Sequence, residues 1–179
     1  VPDSLDLGAQ RLVDVMGVVR DEAGNAIAGA TVKGIWSNQT VSTDARGFFI
    51  LEDLVCYEKG ATISVSKSGY FPGSRTWIPT SGGRNRVEVQ LLTDAVVGSF
   101  QASQGGTIQS ESFTLQIQPN SLTLNGFSYQ GTVYVAMNAI DVTDIPSMCA
   151  QMPGDLTGIH NGTLMALRSL GMAAIELRS

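Results

Sequence analysis

His160 is the residue best suited to acid–base chemistry, because it is the only histidine in the sequence. An imidazole titrates near neutral pH, so it would serve as a general base paired with Asp155 or with a serine nucleophile. The surrounding segment, 157–162, predicts a loop, and the alternative interpretation is a surface histidine with no catalytic role. No GxSxG, HExxH or phosphate-cradling glycine motif accompanies it. We therefore expect a protein that is not an enzyme and predict no catalytic residue.

Three carboxylates flank a second irregular segment and are the candidate metal ligands: Asp141, Asp144 and Asp155. Carboxylates and backbone carbonyls are the ligands that calcium prefers. Their spacing matches no EF-hand loop, so a solvated acidic loop is the alternative interpretation. No cofactor is predicted, and calcium remains open without a specific motif.

Aromatic side chains of the first half suggest a different function. Trp36, Tyr70 and Trp77, with Phe71 nearby, would form a platform on which sugar rings stack. The alternative is that these rings pack in the core of a sandwich. Trp36, Tyr70 and Trp77 are the candidate ligand-binding residues.

The two cysteines, Cys56 and Cys149, lie far apart in the sequence and in different predicted modules. This separation favours two free thiols that pack as small apolar side chains, and an interdomain disulfide is the alternative. No CxxC or Cys/His pair indicates a zinc site.

Composition and charge limit the classes of partner that we expect for this chain. The chain has 179 residues, of which 43% are hydrophobic and 15% charged, as in a folded protein. Residues 1–92 carry 9 basic and 10 acidic side chains, whereas 93–179 carry 2 and 6. Neither half has the clustered cations that a phosphate backbone requires, so nucleic acid is not an expected partner. No apolar stretch approaches the ~20 residues of a membrane span.

The hydrophobic pattern alternates with a period of two and is punctuated by turns every 8 to 12 residues, which predicts an all-β protein. We expect two tandem β-sandwich modules. The predicted organisation is an N-terminal segment at 1–12, a first sandwich at 13–92, a linker at 93–104 and a second sandwich at 105–179. Within the first module, Gly47 closes a turn that needs a positive φ.

Three separated blocks of the first module, 17–32, 43–49 and 63–70, carry a family resemblance. They include Gly17-Val18-Val19-Arg20-Asp21, Asp44-Ala45-Arg46-Gly47-Phe48 and Ser66-Lys67-Ser68-Gly69-Tyr70. Residues 13–92 resemble the carboxypeptidase regulatory-like family, a transthyretin-like, Ig-like sandwich of seven strands. The resemblance implies an accessory, non-catalytic fold found beside extracellular enzymes, receptors and adhesins.

Blocks of the second module, 105–108, 115–122 and 129–135, resemble the opening of the β-sandwich domain shared by ankyrins, netrin receptors and zonula occludens proteins. Similar segments, continuing through 141–144, 152–156 and 169–172, look like those of multidomain secreted Bacteroidetes proteins. Because the sequence stops at Ser179 directly after a predicted strand, we expect one more hairpin in a complete second sandwich.

These features predict a structural or adhesive module of a larger exported bacterial protein, located outside the cell or at its surface. A lipid anchor would come from a segment outside this sequence. The alternatives are a carbohydrate-binding module and an autoproteolytic domain that cleaves near Ser179. The expected partners are other domains of the same polypeptide, surface glycans or proteins.

Overall fold

A computed structural model of the chain describes residues 7–80, 82, 84–110, 112–152, 157–160 and 163–179. The described residues form strands and one short helix, which confirms the all-β prediction. They divide into two compact units. The first comprises 1–93 and 142–170, and the second 94–141 and 171–179. None of the described helices is long and apolar enough to cross a bilayer.

The first unit contains a sandwich of two sheets. One sheet has three strands in the order β4-β1-β7 and the other has four in the order β3-β2-β5-β6. Their bounds are β1 Gln10–Asp21, β2 Thr31–Gly34, β3 Thr40–Ser42, β4 Phe48–Tyr57, β5 Ala61–Ser66, β6 Gly73–Trp77 and β7 Arg84–Leu91. The seven strands match the count that the family resemblance implied.

The core of this sandwich lies between the two sheets and follows the period-two alternation of the strands. Val15 and Val19 of β1 and Leu51 of β4 face Ile63 and Val65 of β5. All five side chains are buried. Because neighbouring residues in a strand point to opposite faces, burying these positions sends the intervening side chains to the outer faces of the sheets.

The turn before β4 has the conformation that the sequence predicts. Gly47 has a φ of 73°, and a Cβ at this position would lie 2.4 Å from the carbonyl oxygen of Val19. A glycine is therefore required here by the backbone angle and by the close approach of β1.

The remaining elements of the first unit lie in a segment that the sequence analysis placed in the second module. They are α1 Ile145–Gln151, β14 Thr157–His160 and β15 Thr163–Ala166, with β14 and β15 paired as a hairpin. Helix α1 packs near β7, where the Gln151 side chain donates to the Gln90 side chain at 3.0 Å. Proline in the first turn of α1 supports the start of the helix.

The second unit is built on a three-stranded sheet with the order β16-β13-β8. The strands of the whole unit are β8 Val96–Gln101, β9 Gly106–Gln109, β10 Thr114–Ile117, β11 Thr123–Leu124, β12 Phe127–Ser128, β13 Thr132–Ile140 and β16 Met172–Arg178. The β9–β10 hairpin packs on this sheet, since a Cβ at Gly98 would lie 2.7 Å from Cδ1 of Ile108.

The predicted linker at 93–104 differs from the structure, because β8 lies within it and pairs with β13. Between Val96 and Phe100 the segment contains Gly98 and Ser99, so its apolar residues are too few for an alternating pattern to reveal the strand. The other domain boundaries remain predictions.

Candidate docking surface

The outer face of the β4-β1-β7 sheet is the candidate functional surface. Strand β1 alternates between Val15 and Val19, which enter the core, and Met16 and Val18, which point outward. Met16 and Val18 are half-buried, and Ile50 of the neighbouring strand is 36% exposed. The strand is thus apolar on both faces, although only one face belongs to the core.

Strand register arranges the outward side chains in two rows. Val18 is opposite Phe48 of β4 in an antiparallel pair and opposite Glu88 of β7 in a parallel pair. Met16 is opposite Ile50 and Arg86. Each row therefore runs from an apolar residue on β4, through β1, to a charged residue on β7.

A shallow cavity of about 570 Å³ lies over these rows. It is lined by Met16, Gly17, Val18, Phe48, Arg86, Val87 and Glu88. An apolar floor with a few charged groups at its edge is the usual composition of a binding surface.

The charges at this edge are only partly neutralised within the chain. Nε of Arg20 lies 3.5 Å from Oε1 of Glu88, and both side chains are exposed. Among the described residues, no carboxylate lies within ion-pair distance of Arg86. An approaching surface would therefore meet Arg86, which has no ion-pair partner among the described residues, and the exposed Glu88 beside the apolar floor.

A second cavity, of about 420 Å³, lies near one end of the same sheet and is polar. It is lined by Leu12, Val13, Asp14, Asp53, Gly82 and Arg84. Asp53 has a φ of 51°, and its backbone N–H donates to Oδ1 of Asp14 at 3.1 Å. Asp14 thus accepts a hydrogen bond from the bulge that β4 forms where the register shifts between Val13 and Val15.

The aromatic residues predicted to bind ligand do not form one platform. Trp77 pairs with Ala61, the first residue of β5. Tyr70 comes shortly after Ser66, the last residue of the same strand. A strand rises about 3.3 Å per residue, so these two ends are roughly 17 Å apart. Tyr70 and Trp77 also pack against the core.

Trp36 is more accessible than the other two rings, with 43% of its surface exposed. Its ring meets Tyr57 edge to face, with centroids 5.3 Å apart and an interplanar angle of 88°. Trp77, in contrast, donates from Nε1 to Oδ1 of the buried Asn85 at 3.3 Å. Of the three predicted residues, Trp36 presents the most surface to a ligand.

The structure describes three of the four residues predicted for metal binding or acid–base chemistry. Asp141 and Asp144 are exposed, and Asp155 lies outside the described residues. Within the described part of the chain, no group of three or more His, Cys, Asp and Glu side chains is close enough to hold a metal ion. His160 is exposed and ends β14, so it lies on a hairpin strand rather than in the predicted loop. Its pairing with Asp155 is outside the described residues.

Both cysteines are free thiols, as predicted, but the expectation that both pack as small apolar side chains is wrong for Cys149. Cys56 is fully buried in β4, and burial raises the pKa of its thiol. Cys149 is exposed on α1.

None of the docking residues is among the site residues predicted from the sequence. The signal was present as an almost unbroken apolar run, 15–19, since a strand with one solvated face would alternate.

Comparison with known families supports the first-module prediction. Residues 14–92 match the family model of the carboxypeptidase regulatory-like domain. This match agrees with the resemblance predicted for 13–92 and includes every residue of the docking surface. The resemblance of the second module to ankyrin-type sandwiches remains a prediction. No curated protein matches the chain at a significant level.

Similar solved structures include two mutant complexes of a type II cohesin with an X-dockerin from Acetivibrio cellulolyticus. A chain of the C-terminal interface mutant is 18% identical, with a TM-score of 0.35. A chain of the N-terminal interface mutant is 20% identical, with a TM-score of 0.33. Each alignment covers 48% of this chain and 59% of the solved chain. The present chain thus spans about three fifths of the length of these structures.

Proposed function

We propose that this chain is a non-catalytic module that docks other protein surfaces through the outer face of its β4-β1-β7 sheet. We further propose that it belongs to a larger exported bacterial protein, outside the cell or at its surface. The observation that carries the proposal is the group of four outward apolar side chains on β1 and β4, Met16, Val18, Phe48 and Ile50. Contiguous apolar surface rimmed by polar residues is typical of interaction sites.

The family match supports the same function. The carboxypeptidase regulatory-like fold implies an accessory domain beside enzymes, receptors and adhesins, and the match covers the sandwich from residue 14 of β1 to the end of β7. Such a domain would use a rigid sheet face for docking, because strands hold their side chains more precisely than loops do.

A photo-crosslinking experiment tests the proposal. A photoreactive phenylalanine analogue replaces Val18 on the docking surface and, as a matched control, Lys33 on the outer face of the other sheet. Each purified chain is irradiated alone and with the exported and surface proteins of its source cell. We expect covalent adducts from position 18 and none from position 33. Equal adduct yields from the two positions, or none from position 18, would contradict the proposal.

Carbohydrate binding is the second candidate, favoured by the accessibility of Trp36. A glycan array with the variants Trp36→Ala and Trp77→Ala tests it. If sugars bind, the first substitution should abolish binding through loss of the exposed ring. Retained binding in Trp36→Ala, or no glycan bound by the unsubstituted chain, would reject this function.

A further inference from the structure

We propose that the occupant of the docking surface is the same surface of a second copy of this chain, related by a two-fold axis. This inference rests on the proposed function and names its partner. The charge and shape of the surface are self-complementary under one particular symmetry operation.

The axis that satisfies this complementarity lies between the facing β4-β1-β7 sheets of the two copies. It runs perpendicular to the strands and passes over Gly17. The register places Gly17 opposite Phe49 and Val87, all three of which are buried. The outward rows lie on either side of this level, one containing Val18 and the other Met16. A two-fold rotation therefore places each row on the other row of the partner copy.

Apolar residues then meet apolar residues across the contact. Val18 lies over Met16 of the second copy, and Phe48 lies over Ile50. Face-to-face sheets pack about 10 Å apart with strands crossing at about 30°, so side chains of this size interdigitate. An isologous contact repeats each of these pairs twice.

Opposite charges also meet under the same operation. Glu88 lies over Arg86 of the second copy, and the pair occurs twice by symmetry. On β1, Arg20 lies over Asp14 in the same way, since these residues are equally distant from Gly17. Arg86 lacks an ion pair within the described part of its own chain, and this arrangement supplies one. A different axis, parallel to the strands, would place β7 on β4 and leave these charges unmatched.

The size of the surface predicts a weak dimer. Three strands spaced about 4.8 Å apart, over the seven residues from Asp14 to Arg20, present a face of roughly 14 by 23 Å. Stable interfaces bury about 800 Å² per partner, which is more than this face supplies. We therefore expect dimerisation that depends on protein concentration rather than a permanent dimer.

Charge reversal tests the symmetry directly. Sedimentation velocity over about 5 to 500 µM should show a monomer–dimer equilibrium for the unsubstituted chain. Arg86→Glu and Glu88→Arg should each weaken dimerisation at least about tenfold, because each places like charges together twice. The double variant Arg86→Glu/Glu88→Arg should restore it, because the two-fold axis pairs the exchanged charges again. Lys33→Glu, on the other sheet, changes the charge equally and should have no effect.

Circular dichroism of every variant would establish that the strands remain folded. A monomer at all concentrations, or a double variant as weak as the single ones, overturns the dimer.

The crosslinker at position 18 separates this failure from failure of the docking function. Adducts of twice the chain mass support the dimer. Adducts only with other proteins overturn the dimer and leave the docking function standing. No adduct at all overturns both.

Discussion

Buried polar side chains fix the path of the chain at the scale of single residues. Thr43 is buried, and its Oγ1 accepts the Ala30 N–H at 2.8 Å while donating to the Ile27 carbonyl at 2.6 Å. This hydroxyl joins the segment that enters β2 to the turn that precedes β4. It satisfies two backbone groups that solvent does not reach.

We expect Thr43→Val to lower the free energy of unfolding by about 1–3 kcal/mol, because the substitution keeps the shape and leaves both backbone groups unpaired. Urea unfolding measures the change. Thr40→Val, at an exposed position of β3, is the control and should change it by less than about 0.5 kcal/mol. Equal effects of the two substitutions would show that the hydroxyl contributes nothing.

Asp21 makes the turn after β1 sensitive to acid. The Asn25 side chain donates to Oδ2 of Asp21 at 3.0 Å, and the Asn25 N–H donates to Oδ1 at 2.7 Å. The Asn25 side-chain amide, with backbone N–H groups of the turn, lowers the pKa of Asp21 despite slight desolvation. A lowered folded-state pKa means that the ionised carboxylate stabilises the fold above its unfolded-state pKa and that this contribution disappears as the pH falls through the folded-state value.

We therefore expect Asn25→Ala to return the pKa of Asp21 toward about 3.9, the value of an unperturbed aspartate. A carbon-detected NMR titration of the Asp21 carboxylate measures this pKa in both chains. Urea unfolding should also show a smaller loss of stability below about pH 4 in the variant. An Asp21 pKa that is the same in both chains would contradict the prediction.

At the scale of elements, Arg75 attaches helix α1 to the sandwich. Its Nε donates to the carbonyl oxygen of Glu88 at 3.2 Å, and its Nη1 donates to the carbonyl oxygen of Cys149. Among the described strands, β7 pairs only with β1, so its other edge leaves carbonyls such as that of Glu88 to other donors. One guanidinium thus joins this edge to the helix.

We expect Arg75→Gln to speed hydrogen exchange of the α1 amides by roughly 10- to 100-fold, which corresponds to losing a charged hydrogen bond. Mass spectrometry of peptides covering 145–152 measures the exchange, and Arg46→Gln in an exposed turn is the control. Unchanged exchange in Arg75→Gln would mean that other contacts hold the helix.

The sequence predicted the structure well where turns are marked, as at Gly47. It failed at α1, because this helix has only seven residues and a proline, a pattern that also fits an irregular loop. The docking surface was missed for another reason. The residue pattern shows that β1 is apolar on both faces, but it cannot distinguish a face covered by the same chain from one left for a partner.

At the scale of the whole molecule, the two units differ in how much apolar surface they bury. Among the described residues, the first unit has a core of 16 buried side chains in one cluster. Buried side chains of the second unit are fewer and centre on β13, including Val133, Val135 and Met137. A small core gives little stability after the cost of ordering the chain.

We expect the second unit to unfold at lower urea concentration than the first. Both tryptophans, Trp36 and Trp77, belong to the first unit, so fluorescence reports on that unit while far-ultraviolet circular dichroism reports on both. The two transitions should not coincide, and Val135→Ala should shift only the earlier one. Coincident transitions in both chains would indicate a single cooperative unit.

The parallel pairing of β1 with β7 has a consequence for biosynthesis. Asp14 pairs with Arg84 and Asp21 with Leu91, so the middle strand of its sheet acquires this neighbour only after some seventy further residues have been added. Contacts between such distant positions slow folding, because a long loop must close before they form. During translation, one edge of β1 therefore stays unpaired until β7 leaves the ribosome. Chaperone binding to the nascent chain should be strongest in this interval and end once Leu91 has emerged.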